Sequence, residues 1–351
     1  MDVIDLFQVI FDPQPGERVV VLTDMPSGRV LDTPAWRERR SMAGRWRDAM
    51  ARLGIQQSYQ TLPLMRVPSG GNLRPLSQRG LVGDDEVDVE TTIAQASLVL
   101  ALTEYSADQI LDTWLEQYPQ LRIADLPQIT PAIEHALVEA NYELLIEGCH
   151  QLYQQAAEAS WANLRFSNGD SLTIDLRFRQ THCNDGRLHR QSRERRITLP
   201  GGYVWRAAYE GEHAEAMSQT SGVLPIRWLG DVIRLEIERN RVVDVLGRGD
   251  HADELRFWLA TDPARCNLAG LTIGCSRVAR ALGMANQPNR HAPTVTLGRS
   301  DRLGGIVGPA SFSDPRHIWQ YACTYRQGDP ITVTRLTLVD QQRQVTPIDL
   351  P

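Results

Sequence analysis

A short acidic segment, from Glu210 to Glu215, carries residue types that bind divalent metals. Glu210, Glu212, His213 and Glu215 offer carboxylate and imidazole donors at ligand-like spacing. Donors of these types bind divalent metals in proteins. The same composition is also typical of a solvated loop, and we interpret the segment as a loop.

Two single residues have the chemistry of a nucleophile or a base. Cys275 has no neighbouring base in the sequence, which favours a buried thiol over a reactive one. His317 stands alone as well, and a single imidazole is more often a hydrogen-bonded structural residue than a ligand. Neither residue by itself predicts a reaction.

The run from His189 to Arg196 is strongly basic, and Arg177, Arg179 and Arg187 precede it closely. Together these arginines could form a surface that docks an acidic peptide or partner, although a solvated pair of strands is the simpler interpretation. The run has no aromatic residue on which a base could stack. With a net charge of -6, we expect no nucleic-acid partner.

Composition limits the classes of protein further. The chain has 351 residues, of which 42% are hydrophobic and 23% charged, so it predicts two globular domains. Five cysteines without a CxxC pair favour reduced thiols. We see no signal-like segment and no membrane-length apolar run, so we expect a cytoplasmic protein without a membrane partner. All 37 basic residues are arginine, which excludes a Schiff-base lysine and a Walker-type phosphate loop.

The elements that would position any site differ between the two halves. In residues 1–160, apolar runs such as Arg18–Asp24 and Ala96–Thr103 alternate with helical stretches, one opened by Thr33-Pro34 and ending at Gly54, another running from about Pro131 to Ser160. Strands separated by helices predict a Rossmann-like α/β domain with a parallel sheet.

Residues 161–351 predict a mostly antiparallel α+β domain. Asn-Gly separates two alternating runs within Leu164–Leu176, and Arg-Asn does so within Arg234–Val245; both patterns are typical of hairpins. Further strands are predicted at Thr294–Leu297 and Ile331–Leu338, and a helix at Ala252–Ala260. The fold class predicted for the whole chain is therefore α/β, with a parallel N-terminal sheet and a mostly antiparallel C-terminal domain.

Six short stretches, in order along nearly the whole chain, resemble the aminopeptidase T (thermophilic leucyl aminopeptidase) family of metallopeptidases. They are Gly16–Asp24, Gly169–Leu172, Leu199–Val204, Asn267–Gly274, Thr294–Gly298 and Asp314–Trp319. The resemblance implies an aminopeptidase-like fold and a homodimer. It also implies a site where two divalent metals, bound by carboxylates and histidines, would help to remove N-terminal residues from peptides.

Most of the implied metal ligands are replaced in this sequence. The two ligand glutamates of the family correspond to Tyr203 and Gly270, the strand histidine to Thr294, and the final aspartate to Trp319. Only His317 retains its type, and the catalytic tyrosine falls near Asp301. Glycine and tryptophan offer no metal donor, and neutral tyrosine is a poor one. We therefore expect no metal, no cofactor and no catalytic residue.

The function predicted from this pattern is non-catalytic peptide binding on an aminopeptidase scaffold. An extended peptide would pair with the strand that contains Thr294, Val295 and Thr296, between the aromatic rings of Tyr203 and Trp319. The protein would present or shield the peptide for partner enzymes, as in the biosynthesis of ribosomal-peptide natural products. Whether the two rings bind a peptide or only fill the former metal site is left open.

An active hydrolase with a relocated metal site is the alternative. A slip of the alignment by about three residues would place His291 near the position of the family's strand histidine, together with His317, Asp301 and Asp314. An odd shift within a strand reverses the direction of its side chains, which counts against this alternative.

Overall fold

The chain folds into two compact units. The computed structural model describes residues 1–28, 31–69, 76–105, 107–275 and 292–350. The first unit comprises Met1–Tyr142 and Asn184–Gly201, and the second comprises Glu143–Cys183 and Gly202–Pro351. Residues 184–201 therefore belong to the first unit although they follow part of the second along the chain.

Helices and strands alternate in the first unit and strands dominate the second. The helices are α1 (Val3–Phe11), α2 (Pro34–Gln57), α3 (Val89–Ile93), α4 (Asp108–Gln117), α5 (Pro131–Glu139), α6 (Tyr142–Glu158) and α7 (Asp250–Ala260). The strands are β1 (Arg18–Met25), β2 (Gln60–Thr61), β3 (Met65–Pro68), β4 (Arg79–Val82), β5 (Asp85–Asp88), β6 (Leu98–Leu102), β7 (Arg122–Asp125), β8 (Ala159–Phe166), β9 (Ser171–Asp175), β10 (Thr181–Asn184), β11 (Arg196–Thr198), β12 (Tyr203–Ala207), β13 (Ser221–Trp228), β14 (Asp231–Glu238), β15 (Arg241–Leu246), β16 (Leu268–Gly274), β17 (Thr294–Gly298), β18 (Gln320–Thr324), β19 (Val333–Asp340) and β20 (Val345–Ile348). None of the helices in the described residues is both long and apolar enough to cross a membrane.

A mostly parallel sheet forms the centre of the first unit. Its strand order is β11-β7-β6-β1-β3-β4-β5, and β2 pairs with β1. The pairs from β11 to β3 are parallel, while β4 and β5 add antiparallel strands at one edge. Strands β1, β6 and β7 are buried almost completely, as expected where helices cover a parallel sheet.

Helix α2 begins as the sequence predicts but ends later. The Thr33 side chain accepts a hydrogen bond from the backbone N–H of Trp36, and Pro34 occupies the first helical position. The predicted end at Gly54 is wrong: the helix continues to Gln57, and Ser58 is the left-handed residue that follows. Gly54 has a packing role instead, because a Cβ there would lie 2.6 Å from the carbonyl oxygen of Tyr59.

Two antiparallel sheets form the second unit. The larger has the strand order β15-β14-β13-β9-β8-β19-β20, and the smaller, called sheet C here, has the order β10-β12-β16-β17-β18. Both predicted hairpins are present, as β8–β9 and β14–β15. The predicted fold class is thus confirmed: a parallel-sheet α/β part is joined to a mostly antiparallel one.

The long helix predicted from about Pro131 to Ser160 is wrong. Two helices occupy this stretch, α5 and α6, and Ala140 between them adopts an extended conformation with φ -62° and ψ 139°. Residues 139–142, where the helix is interrupted, include no glycine or proline. The local sequence therefore does not predict the interruption. Both Ala140 and Tyr142 are buried, which indicates that packing rather than helix propensity sets this boundary.

Two glycines of α2 provide a matched test of this packing. Gly54→Ala should lower the free energy of unfolding, because the added Cβ meets the Tyr59 carbonyl and ring. Gly44→Ala has no atom within 4 Å of its added Cβ, and should raise that free energy by about 0.5–1 kcal/mol through helix propensity. Urea denaturation of both variants measures the two effects, and equal stabilisation by both would contradict the close packing at Gly54.

Candidate functional site

Gly270 lies in the middle of sheet C, where the family resemblance would place a ligand glutamate. It pairs with Ala207 of β12 on one side and with Thr296 of β17 on the other. A Cβ at this position would lie 2.5 Å from the carbonyl oxygen of Arg206. Backbones this close leave no room for any side chain, so Gly270 can only shape the sheet.

Strand β17 is interior, which corrects the prediction that Thr294–Leu297 is open to an added peptide. It pairs with β16 on one side and with β18 on the other. Val295 and Thr296 are buried, and the Thr294 hydroxyl lies 2.9 Å from that of Thr324. Backbone groups already used in two ladders cannot bind a third strand.

Tyr203 and Trp319 lie at opposite ends of sheet C, so the prediction that both rings flank one site is wrong. Tyr203 pairs with Gly274, beyond the Thr272–Thr294 pair. Trp319 accepts a hydrogen bond from the N–H of Arg299, beyond the other end of β17. At about 3.3 Å per residue, these positions are roughly 20 Å apart along the strands.

Each of the two aromatic residues has neighbours of its own. The Tyr203 ring lies 5.7 Å from that of Trp205, which stacks on His182 at 5.2 Å. The Trp319 ring stacks on Tyr321 at 5.6 Å. The two rings therefore belong to two separate aromatic groups.

Trp228, Trp319 and Tyr321 form a group of half-buried rings, called the aromatic cluster here. Trp228 lies 5.6 Å from Tyr321 and 6.3 Å from Trp319, in both cases edge to face. The Tyr321 hydroxyl donates to the carbonyl of Arg227, and burial raises the pKa of Tyr321 to about 12. Partly exposed rings in contact with one another offer both a face and an edge to an apolar group.

Strand β18 is an edge of sheet C, and the aromatic cluster lies beside it. In the described part of the chain β18 pairs only with β17. The backbone N–H of Arg299 donates to the carbonyl of Trp319, and that of Tyr325 donates to the carbonyl of Pro293. In an antiparallel ladder every second residue bonds to the same neighbour, so Trp319, Tyr321, Cys323 and Tyr325 bond towards β17. The backbone groups of Gln320, Ala322 and Thr324 therefore point away from the sheet. Gln320 and Ala322 are exposed.

His317, the retained residue of the ligand set, belongs to a hydrogen-bonded group with Asp262 and Ser313. Its Nδ1 lies 3.1 Å from the Ser313 hydroxyl and 3.3 Å from the Asp262 carboxylate. Burial would raise the pKa of Asp262, but hydrogen bonds from Ser313, the Ala264 N–H and His317 outweigh it and lower that pKa to about 2. The arrangement fits an oriented structural histidine better than a metal ligand.

The remaining residues of the alternative metal site are engaged by arginines. Arg299 forms two bonds with the Asp301 carboxylate, at 2.6 and 2.7 Å, and Arg316 does the same with Asp314 at 3.0 and 2.6 Å. His291 lies outside the described residues. Among those that are described, no group of three histidine, cysteine, aspartate or glutamate side chains is placed to hold a metal.

Glu210 is a buried carboxylate that the sequence interpretation assigned to a solvated loop. Its side chain is only 4% exposed and forms an ion pair with Arg179 at 3.1 Å. Arg179 also pairs with Glu212 at 2.5 Å and is itself 7% exposed. The sequence around Glu210 does not indicate that it is buried, because its bonding partners lie far away along the chain.

Three further groups bind the Glu210 carboxylate. The Asn267 side chain and the Ser300 hydroxyl each donate to Oε1 at 2.6 Å, and the N–H of Ile306 donates to Oε2 at 2.7 Å. Asn267 directly precedes β16, Ser300 follows β17, and Glu210 follows β12. One carboxylate thus fixes the ends of three neighbouring strands, and all its hydrogen bonds are internal.

Two solved structures are similar to this chain over nearly its whole length. One is 2,5-dihydroxypyridine dioxygenase from Pseudomonas putida KT2440, with 14% identity, a TM-score of 0.57, and coverage of 92% of this chain and 91% of that one. The other is wild-type AmpT (aminopeptidase T) from Thermus thermophilus, with 12% identity, a TM-score of 0.54, and coverage of 99% and 96%. No protein-family model matches the chain, and neither does any curated protein.

These similarities show an aminopeptidase-like fold, which a dioxygenase shares. A fold common to two such different enzymes does not identify a reaction, so function depends on the side chains present. The residues at the carried-over ligand positions do not fit a pair of metal ions: Tyr203, Gly270, Thr294 and Trp319 neither meet at one point nor offer suitable donors.

Removal of the Glu210 carboxylate should strongly destabilise the protein. Glu210→Ala leaves Arg179 buried with reduced compensation and removes an acceptor from three other donors. We expect a loss of about 3–5 kcal/mol in the free energy of unfolding, the usual cost of breaking a buried ion pair. The control is Glu215→Ala, an exposed residue of the same segment, which should change stability little in chemical denaturation. Equal effects would show that the segment is solvated after all.

Asp262 should contribute to stability in a defined pH range. Its pKa is lowered from 3.8 to about 2 in the folded protein. Its contribution is therefore complete above pH about 4 and is lost as the pH falls towards about 2. Asp262→Asn should make the free energy of unfolding less dependent on pH in this window. Urea denaturation on both sides of it measures the slope, and an unchanged slope would contradict the hydrogen-bonded carboxylate.

Proposed function

We propose that the second unit binds an extended peptide along the outer edge of β18 without hydrolysing it. The observation that carries this proposal is the outer edge of β18, which pairs with no other strand in the described residues and lies directly beside a group of half-buried aromatic rings. An extended peptide can add a strand to such an edge, and pockets next to it select its side chains.

The backbone of β18 supplies the first half of the interaction. The outward N–H and C=O groups of Gln320 and Ala322 would bond to the peptide as one more antiparallel or parallel strand of sheet C. Open strand edges are generally protected, because they favour pairing with other chains. Strand β18 has only five residues, so a peptide added to its edge would form few backbone hydrogen bonds and could dissociate again.

The aromatic cluster supplies the second half. Tyr321 lies on β18 itself, with Trp319 just before it, and Trp228 ends β13. Large, partly exposed rings are over-represented among residues that dominate the energy of protein interfaces. An apolar side chain of the peptide, next to the added strand, would pack against these rings. The site therefore favours extended peptides with at least one large apolar residue.

The side chains at the positions that correspond to the ligands of the aminopeptidase family support a role without hydrolysis. The described residues bring no carboxylate or imidazole group together at Gly270 or Thr294, and His317 is held by Asp262 and Ser313. The protein would present or shield the peptide for partner enzymes, and a ribosomal-peptide biosynthetic system is the setting in which such a role is most useful. The relocated metal site receives no support from Asp301 and Asp314, since both are paired with arginines.

A proline substitution on β18 tests the proposal directly. Ala322→Pro removes an outward N–H but none of the bonds to β17, and proline is tolerated where the N–H of an edge strand faces solvent. It should weaken peptide binding about tenfold or more, whereas Ala322→Val keeps the N–H and should not.

Trp319→Ala should weaken binding by about 1–3 kcal/mol, and Tyr203→Ala, at the other end of the sheet, should leave it unchanged.

Ligands for this test come from selection of a displayed library of unstructured peptides, followed by calorimetric titration of each variant. Equal binding by the proline and valine variants would contradict the strand edge as the site. Two copies of the chain could also pair through β18, as the expected homodimer would allow. In that case light scattering would show a lower mass for the Ala322→Pro variant but not for the Ala322→Val variant. Stoichiometric bound metal together with chelator-sensitive release of amino acids would overturn the non-catalytic role.

A further inference from the structure

We propose that a polar cleft in the first unit binds a small oxyanion, a carboxylate or phosphate group. The cleft has a volume of about 470 Å³ and lies where β1, β6 and β7 begin. Its walls include Gly16, Glu17, Ser97, Arg122, His189 and Arg190. This site is independent of the peptide site, because it is formed by the first unit alone.

A buried ion pair lines the cleft. Arg122 and Glu17 are bonded at 2.6 Å, and their side chains are 5% and 7% exposed. Arg122 also donates to the carbonyls of Phe11 and Leu188. Its Nε is buried and has no hydrogen-bond partner in the described residues. The guanidinium is therefore fixed in place by several elements, so it can bind a ligand without prior ordering.

Arg190 brings a second positive charge to the same cleft. Arg122 and Arg190 both line the cleft. Burial lowers the pKa of Arg122, and the charge of Arg190 lowers it further. Arg190 is exposed and forms no hydrogen bond or ion pair with the described residues. Three arginines, Arg122, Arg190 and Arg195, line the cleft against two carboxylates, Glu17 and Glu194. This excess of positive charge favours an anion in the cleft.

Other arginines of the basic run are committed to structural bonds. Arg195 donates to the carbonyls of Leu115, Tyr118 and Pro119, and closes the end of α4. Arg196 pairs with Asp112 and Asp125 at 2.6 and 3.0 Å. Arg195 and Arg196 are thus mainly structural, whereas Arg190 has no hydrogen bond or ion pair among the described residues.

The lining restricts the class of ligand. The described walls of the cleft contain no Phe, Tyr or Trp side chain, and among them His189 supplies the one aromatic ring, so the cleft lacks the series of aromatic side chains on which successive bases of a nucleic acid stack. A cleft of about 470 Å³ falls within the range of small-molecule sites, about 300–1,000 Å³. The fitting ligand is therefore a small, polar molecule with a phosphate or carboxylate group rather than a nucleic acid.

Calorimetric titration with inorganic phosphate and with citrate, at constant ionic strength, tests the proposal and distinguishes the two kinds of oxyanion. We expect saturable binding of at least one of them at one site per chain. Arg190→Gln should weaken it about tenfold or more, and Arg190→Lys should weaken it less, because lysine keeps the charge but loses the planar fork.

Arg193→Gln provides the matched control, since Arg193 belongs to the same run but does not line the cleft. It should leave the affinity unchanged. Arg190 is exposed, so none of these variants should alter the unfolding temperature of the ligand-free protein. Absence of saturable binding by both anions, or an equal loss in the Arg190 and Arg193 glutamine variants, would overturn the proposal.

Discussion

The carboxylate of Glu210 is the constraint on which the arrangement of sheet C depends. It is buried, paired with Arg179, and bound by Asn267, Ser300 and the N–H of Ile306. These donors fix the ends of β12, β16 and β17 relative to one another. A buried charge is stable only when its partners are complete, so the strands cannot shift independently. An internal ion pair thus fixes β17, the strand with which β18 pairs, to β12 and β16.

Local patterns in the sequence were sufficient for much of the fold. Thr33 and Pro34 opened α2 as expected, and alternating residues around Asn-Gly and Arg-Asn predicted two hairpins that are present. In these cases the signal and the structure depend on residues close together along the chain. The end of α2 differs, because Gly54 is glycine for its contact with Tyr59 rather than for a left-handed turn.

The candidate site was less predictable, because it depends on distant contacts. The sequence identified Trp319 but could not show that Trp228 and Tyr321 surround it, or that Tyr203 lies at the far end of the sheet. Nor could it show that β17 is covered by β18, since an edge strand and an interior strand have similar composition when short. Which backbone groups remain free is a property of the sheet order, not of any one strand.

Gly270 shows that the backbone around one position of sheet C excludes any larger side chain. Its neighbours on β12 approach so closely that a Cβ would lie 2.5 Å from the Arg206 carbonyl and 3.0 Å from the Ala207 Cα. Arg206 is itself fixed, because its guanidinium donates to the carbonyls of Ala156, Ala159 and Arg179. A glutamate at position 270 would therefore require β12 to move together with the elements bound to Arg206. The packing around Gly270, rather than its side chain alone, therefore prevents a metal ligand at this position.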